Sequence, residues 1–283
     1  MPSAIVKDAL SGEAGDEQEF IPGDVFSAEK YFKDRDVLGV GSDKVFDFFD
    51  SGVSLFLNDK IEFLRKNKST IDIFKVNGKY LESRKEVHKG IISSILSIDR
   101  ISDATPSKGD APMFVILGGR GGSGKSWFAG KVYNPQCFIV LDADEIKKML
   151  PGYEGWNAFL YHDEASEIFD TLNDLCIALE LNIVHDATMK TPSKAVALVH
   201  RFREAGYRIE AYYMYVPRLV AAVRALKRFL GSSLGRLVPP EVILANIHNE
   251  TSFDAIKHSV DNWRFFDNNV PEGSEPRLVS EKK

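Results

Sequence analysis

The sequence predicts an α/β protein, doubly wound around a mainly parallel sheet, with a smaller, mainly helical module in front of it. Three observations carry that expectation. From Pro112 onward, apolar strand-length runs alternate with helix-length stretches, the pattern of a parallel sheet with helices on both faces. The first of these runs, Phe114 to Leu117, leads directly into Gly119-Arg120-Gly121-Gly122-Ser123-Gly124-Lys125-Ser126, which fits the phosphate-binding pattern G-x-x-x-x-G-K-[ST]. Upstream, Asp103 to Pro112 (D-A-T-P-S-K-G-D-A-P) is a linker by composition. The chain thus divides into a mobile tail over 1–25, a helical module over 26–105 and the sheet domain over 106–283.

Composition narrows the classes. A hydrophobic share of 44% and an aromatic share of 11% over 283 residues suit a globular protein with a substantial core. The formal net charge of −5 gives no general attraction to nucleic acid or to an anionic membrane. Cys137 and Cys176 both lie in apolar sequence and read as buried, reduced thiols of a cytoplasmic protein. No run reaches the length of a membrane span, and residues 1–20 are acidic, unlike a signal peptide.

In chain order, Phe26 to Leu38 reads as a short helix, and Lys44 to Lys66 has a partly helical apolar period. Ile71 to Val76 alternates before the turn dipeptide Asn77-Gly78, which predicts a small hairpin. Leu81 to Ile98 is helical again, with Val87, Ile91, Ile92, Ile95 and Leu96 on one side. Beyond the linker the predicted strands are Phe114–Leu117, Cys137–Leu141, the surroundings of Ile183-Val184, Arg208–Val216 and a last one at Arg264-Phe265-Phe266. Helices are expected over Ala158–Glu180, Pro192–Ala205, Arg218–Leu230 and Pro240–His258. Ligands of such sheets bind outside the carboxyl ends of the strands, so the residues there are the candidates for a site.

At the first strand end, the glycines allow a backbone nest for phosphate oxygens, and the following helix points its positive end at the same anion. Lys125 would reach the β- and γ-phosphates of a nucleotide and Ser126 would hold Mg²⁺. A ligand-free glycine turn is the bland alternative. The second strand ends in Leu141-Asp142-Ala143-Asp144, two carboxylates suited to magnesium or to proton abstraction, although one Asp could simply cap the helix that follows. The third ends in His185-Asp186-Ala187-Thr188, where His185 alone reads as a packed histidine and Asp186 and Thr188 offer an acid and a hydroxyl. Tyr161 to Ser166 is the polar entry to a long helix, and Glu167 reads as part of its solvated face. Between Lys190 and Arg236 the basic residues are opposed only by Glu204 and Glu210. Two of them, Arg228 and Arg236, flank Gly231-Ser232-Ser233-Leu234-Gly235, a segment expected to close over bound phosphates.

The order G-x-x-G-S-G-K-S, L-D-A-D, P-G-Y, H-D-E-A-S, H-D-A-T and R-F…G-R-L-V-P resembles the zeta-toxin family of P-loop kinases over roughly Pro112 to Asn269. The resemblance implies phosphoryl transfer from ATP, with Mg²⁺, to a hydroxyl of a nucleotide sugar such as UDP-N-acetylglucosamine. It implies Asp144 as the catalytic base, Lys125 and Ser126 in the phosphate and metal roles, and Arg228 and Arg236 as phosphate clamps. Glu164 and Asp170 are two candidates for the substrate-holding acid on the long helix. Asp142, Asp186 and Thr188 complete the substrate side, with Asp142 also a metal candidate. Ala187 departs from the family's Gly-Thr pair, which leaves the acceptor open. A nucleoside, NAD and a hydroxymethylated base in DNA are the alternatives, and the acidic total charge disfavours the last. A regulator that binds ATP without turnover is the reading from another class. Arg84-Lys85-Glu86-Val87-His88 looks like the helical lead-in of phage-borne relatives. In this family a separate helical antitoxin blocks the nucleotide site, so residues 26–98 either inhibit the kinase in cis or only cover an apolar face of the sheet.

Overall fold

The computed structural model describes residues 20–231, 235–271 and 273–282. The tail expected over 1–25 therefore lies mostly outside the described residues, as does the centre of the expected lid, Ser232 to Leu234. The front of the chain forms α1 (Ala28–Lys33), α2 (Asp43–Phe46), α3 (Ser51–Lys66), α4 (Thr70–Phe74), a two-stranded ribbon of β1 (Lys75–Val76) and β2 (Lys79–Tyr80), α5 (Glu82–Ile95) and α6 (Ile98–Ala104). There follow β3 (Met113–Gly118), α7 (Lys125–Val132), β4 (Ile139–Asp142), α8 (Ala143–Met149), α9 (His162–Ala178), β5 (Ile183–Asp186) and α10 (Pro192–Glu204). The chain closes with β6 (Arg208–Tyr215), α11 (Arg218–Gly231), α12 (Pro240–Leu244), α13 (Asn249–Ile256), β7 (Asn262–Asp267) and β8 (Arg277–Lys282).

The main sheet has the order β4-β5-β3-β6-β7-β8 and is parallel throughout except for the antiparallel pair β7–β8. This is the expected doubly wound architecture. The run Phe114 to Leu117 is apolar without alternation because both of its faces are buried. Phe114 and Ile116 face a core shared with α9, α10 and α13, while Val115 and Leu117 face Ala129 of α7. Along α9, Ala165, Ile168, Phe169, Leu172 and Cys176 make one buried stripe.

Four local expectations are corrected. Thr70 to Phe74 is helical rather than extended, because Ser69 and Asp72 form a reciprocal capping box, and the ribbon keeps only two residues per strand. The stretch Pro240–His258 is two helices, interrupted at Ala245 to His248. Beyond the last expected strand, β8 adds an edge. Cys137 is exposed, at the end of a 3₁₀ turn after Pro135, whereas Cys176 is buried, and both are free thiols. Among the described residues, no helix is long and apolar enough to cross a membrane.

The helices before the linker share cores with the sheet domain. Phe26, Tyr31, Phe32 and Ile91 lie in the same apolar cluster as β3, α9 and α13, and Leu57, Ile61 and Leu64 pack with α11. Polar ties reinforce this. Asp254 accepts from Ser27 Oγ at 2.9 Å and from the amides of Ala28 and Glu29 at 3.0 and 2.9 Å, which caps α1 from α13. Asp36 in turn accepts from the backbone of Arg218 at 2.8 Å and pairs with its guanidinium at 3.0 Å, at the start of α11.

Candidate active site

The site is built where β3, β4 and β5 end. In register, Leu117 and Asp142 both lie beside Asp186, so the loop after β3 and the two carboxylates emerge together. The phosphate loop, residues 119–126, turns at Gly122 (φ 87°) and Gly124 (φ 90°), conformations that favour glycine. A Cβ at Gly122 would also collide with the Ala221 carbonyl of α11, so the loop lies directly against that helix. Lys125 Nζ donates to the Gly119 carbonyl at 2.6 Å and stands 3.7 Å from Asp186. Ser123 is 1% exposed, and its Oγ has no hydrogen-bond partner among the described residues. An orphaned buried hydroxyl on a glycine-rich turn and a lysine folded over it fit a triphosphate.

Arg120 departs from the expectation for this loop. Its side chain turns away from the cleft and into the core, where it forms a fork with Glu250 at 2.5 and 2.6 Å. Only its backbone remains available to a phosphate.

The two aspartates after β4 divide the roles that sequence left open. Asp142 Oδ1 accepts from the Asp144 amide at 2.8 Å and caps α8. Asp144 is free of that duty and faces cations, with Lys147 at 3.1 Å and Arg236 in direct contact. Burial works against its charge, but Lys147 and Arg236, aided by Lys125, hold it below the usual carboxylate range. Asp142 has the opposite balance. Burial, with Asp186 and Asp144 nearby, pushes it up to about 6. Asp186 is raised too, chiefly by burial, against the pull of Lys125. Two neighbouring carboxylates that resist ionisation make a donor set a divalent cation would relieve. With the Ser126 hydroxyl on the loop, Asp142 fits Mg²⁺, which takes one or two protein oxygens and fills the rest of its shell from phosphate and water.

Arg228, in the last turn of α11, shares this field. Burial and Arg236 lower its pKa, while Asp144 and Asp142 favour its charge. Sequence reasoning missed three neighbours. Lys147 is buried against Asp144, a pairing legible only from its spacing of one helical turn. Tyr153 sits where its hydroxyl is raised by burial and by Asp144, in a turn pinned by Asn157 Nδ2 on the Gly152 carbonyl at 2.9 Å. His162, the first residue of α9, is pushed down to about 4 by burial and by Lys147 and Lys190, so it is neutral near pH 7.

Glu164 requires a correction. Expected on the substrate side, it falls instead on the buried stripe of α9 and is 0% exposed. Arg84 grips it with Nε at 2.6 Å and Nη2 at 2.9 Å, and His88 Nε2 lies 2.6 Å away. Asp170 is the one of the two acids left exposed, near Lys194 and Arg201. His185 is a core residue as expected, with Phe114 and Phe169 edge-on to its ring. Thr188 is half-buried in the loop after β5. A cavity of about 510 Å³ bounded by His200, Arg203, His258 and Lys282 lies toward the opposite ends of the strands and holds none of the candidate residues.

Comparison with solved structures finds the same fold at low sequence identity. A chain of the AvrRxo1-ORF1:AvrRxo1-ORF2 complex solved with sulphate ions matches with a TM-score of 0.63 at 17% identity, over 76% of this chain and 77% of that one. The same complex solved with ATP gives 0.62 at 17% identity over the same shares. A chain from the PezAT toxin-antitoxin system of Streptococcus pneumoniae gives 0.53 at 15% identity, over 72% of this chain and 81% of that one. Comparison with curated proteins returns no match. The sequence profile of the family described as Zeta toxin matches residues 97–270, more than half of the molecule, and this chain belongs to the zeta-toxin family.

Proposed function

We propose that the chain is an ATP-dependent phosphotransferase that moves the γ-phosphoryl group to a hydroxyl of a nucleotide sugar such as UDP-N-acetylglucosamine. The observation that carries this reading is the convergence of Lys125, on the loop after β3, and Asp144, held ionised by Lys147 and Arg236 after β4, on either side of the Asp186 end of β5. The similar AvrRxo1 complex solved with ATP supports the choice of donor.

The loop amides and Lys125 would bind the β- and γ-phosphates, with Lys125 exchanging the Gly119 carbonyl for phosphate oxygen. Asp144 would accept a hydrogen bond from the acceptor hydroxyl and take its proton as transfer proceeds. Arg236 contacts Asp144, and its release toward the transferring group would raise the basicity of Asp144 when a base is needed. Arg228 would neutralise charge on the same group. Ser126 and Asp142 would hold Mg²⁺, which would supply further neutralisation of the phosphate charge. On the acceptor side Asp170, Asp186 and Thr188 are the groups offered to sugar hydroxyls.

The test is incubation with ATP and Mg²⁺ against a panel of UDP-N-acetylglucosamine, NAD, nucleosides and DNA carrying hydroxymethylated bases, read by mass spectrometry. Phosphorylated UDP-N-acetylglucosamine is the expected product. Phosphate on another panel member moves the acceptor, and ATP binding with no product from any of them overturns the kinase reading.

A further inference from the structure

The break between α12 and α13 places one short segment in contact with both halves of the site. On the donor side, Glu250 is 0% exposed and holds the fork of Arg120 in the phosphate loop at 2.5 and 2.6 Å. Arg120 Nε also donates to the Asn246 carbonyl at 3.0 Å, and Tyr213 donates its hydroxyl to Glu250 at 2.9 Å. On the acceptor side, the adjacent Asn249, also 0% exposed, donates through Nδ2 to the carbonyl of Thr188. That loop needs holding. Met189 has φ 55°, a conformation that a long side chain rarely adopts and that persists only where the surroundings enforce it. A buried Arg–carboxylate fork has one favourable geometry, so Arg120 cannot shift without carrying Glu250 and its helix turn along.

We propose that Asn249 and Glu250, in the first turn of α13, form a brace that sets the phosphate loop and the Thr188 loop against each other. Both are positioning residues for the transfer proposed above, and the inference rests on that reading for its catalytic consequence. In-line transfer depends on donor and acceptor placement within a fraction of an ångström, and a misplacement of about 1 Å costs roughly 10²-fold in rate.

The experiment uses the full chain. Replacing the pair together, Arg120→Met with Glu250→Leu, removes two buried charges and keeps apolar volume, a change that folded proteins often tolerate. The expected result is a cooperatively melting protein whose ATP dissociation constant rises by about 10-fold and whose kcat falls by roughly 10²-fold. Amide exchange should quicken at 119–126 and, through Asn249, at 187–189. Asn249→Ala should quicken exchange at 187–189 and raise the acceptor KM while leaving ATP affinity unchanged. A purely structural role would lower the melting temperature and leave ATP affinity, the acceptor KM and loop exchange as in the wild type, and that result overturns the brace. If the double variant does not fold, Arg120→Lys keeps the cation but loses the fork, and it is judged on the same ATP affinity and exchange. Failure of the wild type on every acceptor overturns the proposed function alone, since exchange and ATP binding still report on the brace.

Discussion

Glu164 and Glu250 invite comparison because their surroundings are so alike. Each is fully buried on a helix packed against the same face of the sheet, and each accepts two hydrogen bonds from one arginine. Their arginines differ in origin. Arg84 comes from the helical front of the chain, so the Glu164 pair fastens one region of the molecule to another. Arg120 comes from the phosphate loop, so the Glu250 pair fixes the geometry of a site. Burial and pairing alone therefore do not tell a structural carboxylate from a functional one, and the location of the partner does.

The largest effect should come from removing the front region altogether. A chain beginning near Ser107 loses Phe26, Tyr31, Phe32, Ile91, Leu57, Ile61 and Leu64 from cores shared with the sheet, together with the Asp36 cap on the helix that carries Arg228. Each large apolar side chain withdrawn costs about 2–5 kcal/mol, so the sum exceeds the stability of an ordinary domain. The expected outcome is an insoluble or non-cooperatively melting product. A soluble, cooperatively melting product would break the comparison by making Arg84 dispensable. Its turnover and ATP affinity would then decide self-inhibition, which requires both to rise.

Next in size is Lys125→Ala. It should reduce turnover by roughly 10³-fold or more. The melting temperature should change little, because the lysine's partners are loop carbonyls and Asp186 rather than the core. Turnover at the wild-type level in a folded Lys125→Ala protein would remove the donor site from the kinase reading. A smaller contrast separates the two aspartates. Asp144→Asn should lower kcat by about 10²- to 10⁴-fold with ATP affinity nearly intact, as expected for loss of a general base. Asp142→Asn retains the helix cap and should act through Mg²⁺ dependence instead. Single-turnover rates set beside nucleotide affinity distinguish them, and the reverse ranking makes Asp142 the base.

How legible all this was in sequence follows the same division. The phosphate loop is contiguous, so its fit to strand, turn and helix could be read from Phe114 to Ser126. From the residues alone it was legible only that one of Asp142 and Asp144 would cap α8; the choice of Asp144 for the cleft rests on the resemblance to the family, while the capping bond itself falls to Asp142. The place of Glu164 was not legible, since the helical pattern shows an acid near a helix start and nothing about Arg84, far upstream, which neutralises it. Of the alternating stretch Ile71 to Val76 only Lys75-Val76 is extended, because alternation over a few residues is a weaker signal than the Ser69–Asp72 capping box. The break before Asn249 carries no proline or glycine. What stabilises it is tertiary, with the Asn246 carbonyl and the Glu250 carboxylate both receiving Arg120.

The Glu164 pair itself gives the next prediction. Glu164→Gln keeps the shape but leaves Arg84 buried without a countercharge, at a cost of about 3–5 kcal/mol. The kcat of the protein that remains folded should be close to that of the wild type, because Glu164 does not face the cleft. A wild-type melting temperature with a reduced kcat would return Glu164 to the substrate side.

The smallest effect is the pH dependence of that pair, and it discriminates well. Burial alone would raise the Glu164 pKa, but His88 and Arg84 overcome it and pull the group down to about 2 from its ordinary 4.5. A carboxylate depressed in the folded state binds fewer protons there than in the unfolded chain. Its stabilisation is therefore complete above about pH 4.5 and is lost as pH falls through about 2, amounting to roughly 3 kcal/mol over that window. Other acids titrate in the same range, so the quantity to follow is the stability difference between wild type and Glu164→Gln in urea. That difference should shrink steadily as pH falls below about 4.5. A difference that stays level down to pH 3 would mean that lost packing, rather than the loss of an ionised carboxylate beside Arg84, accounts for the destabilisation.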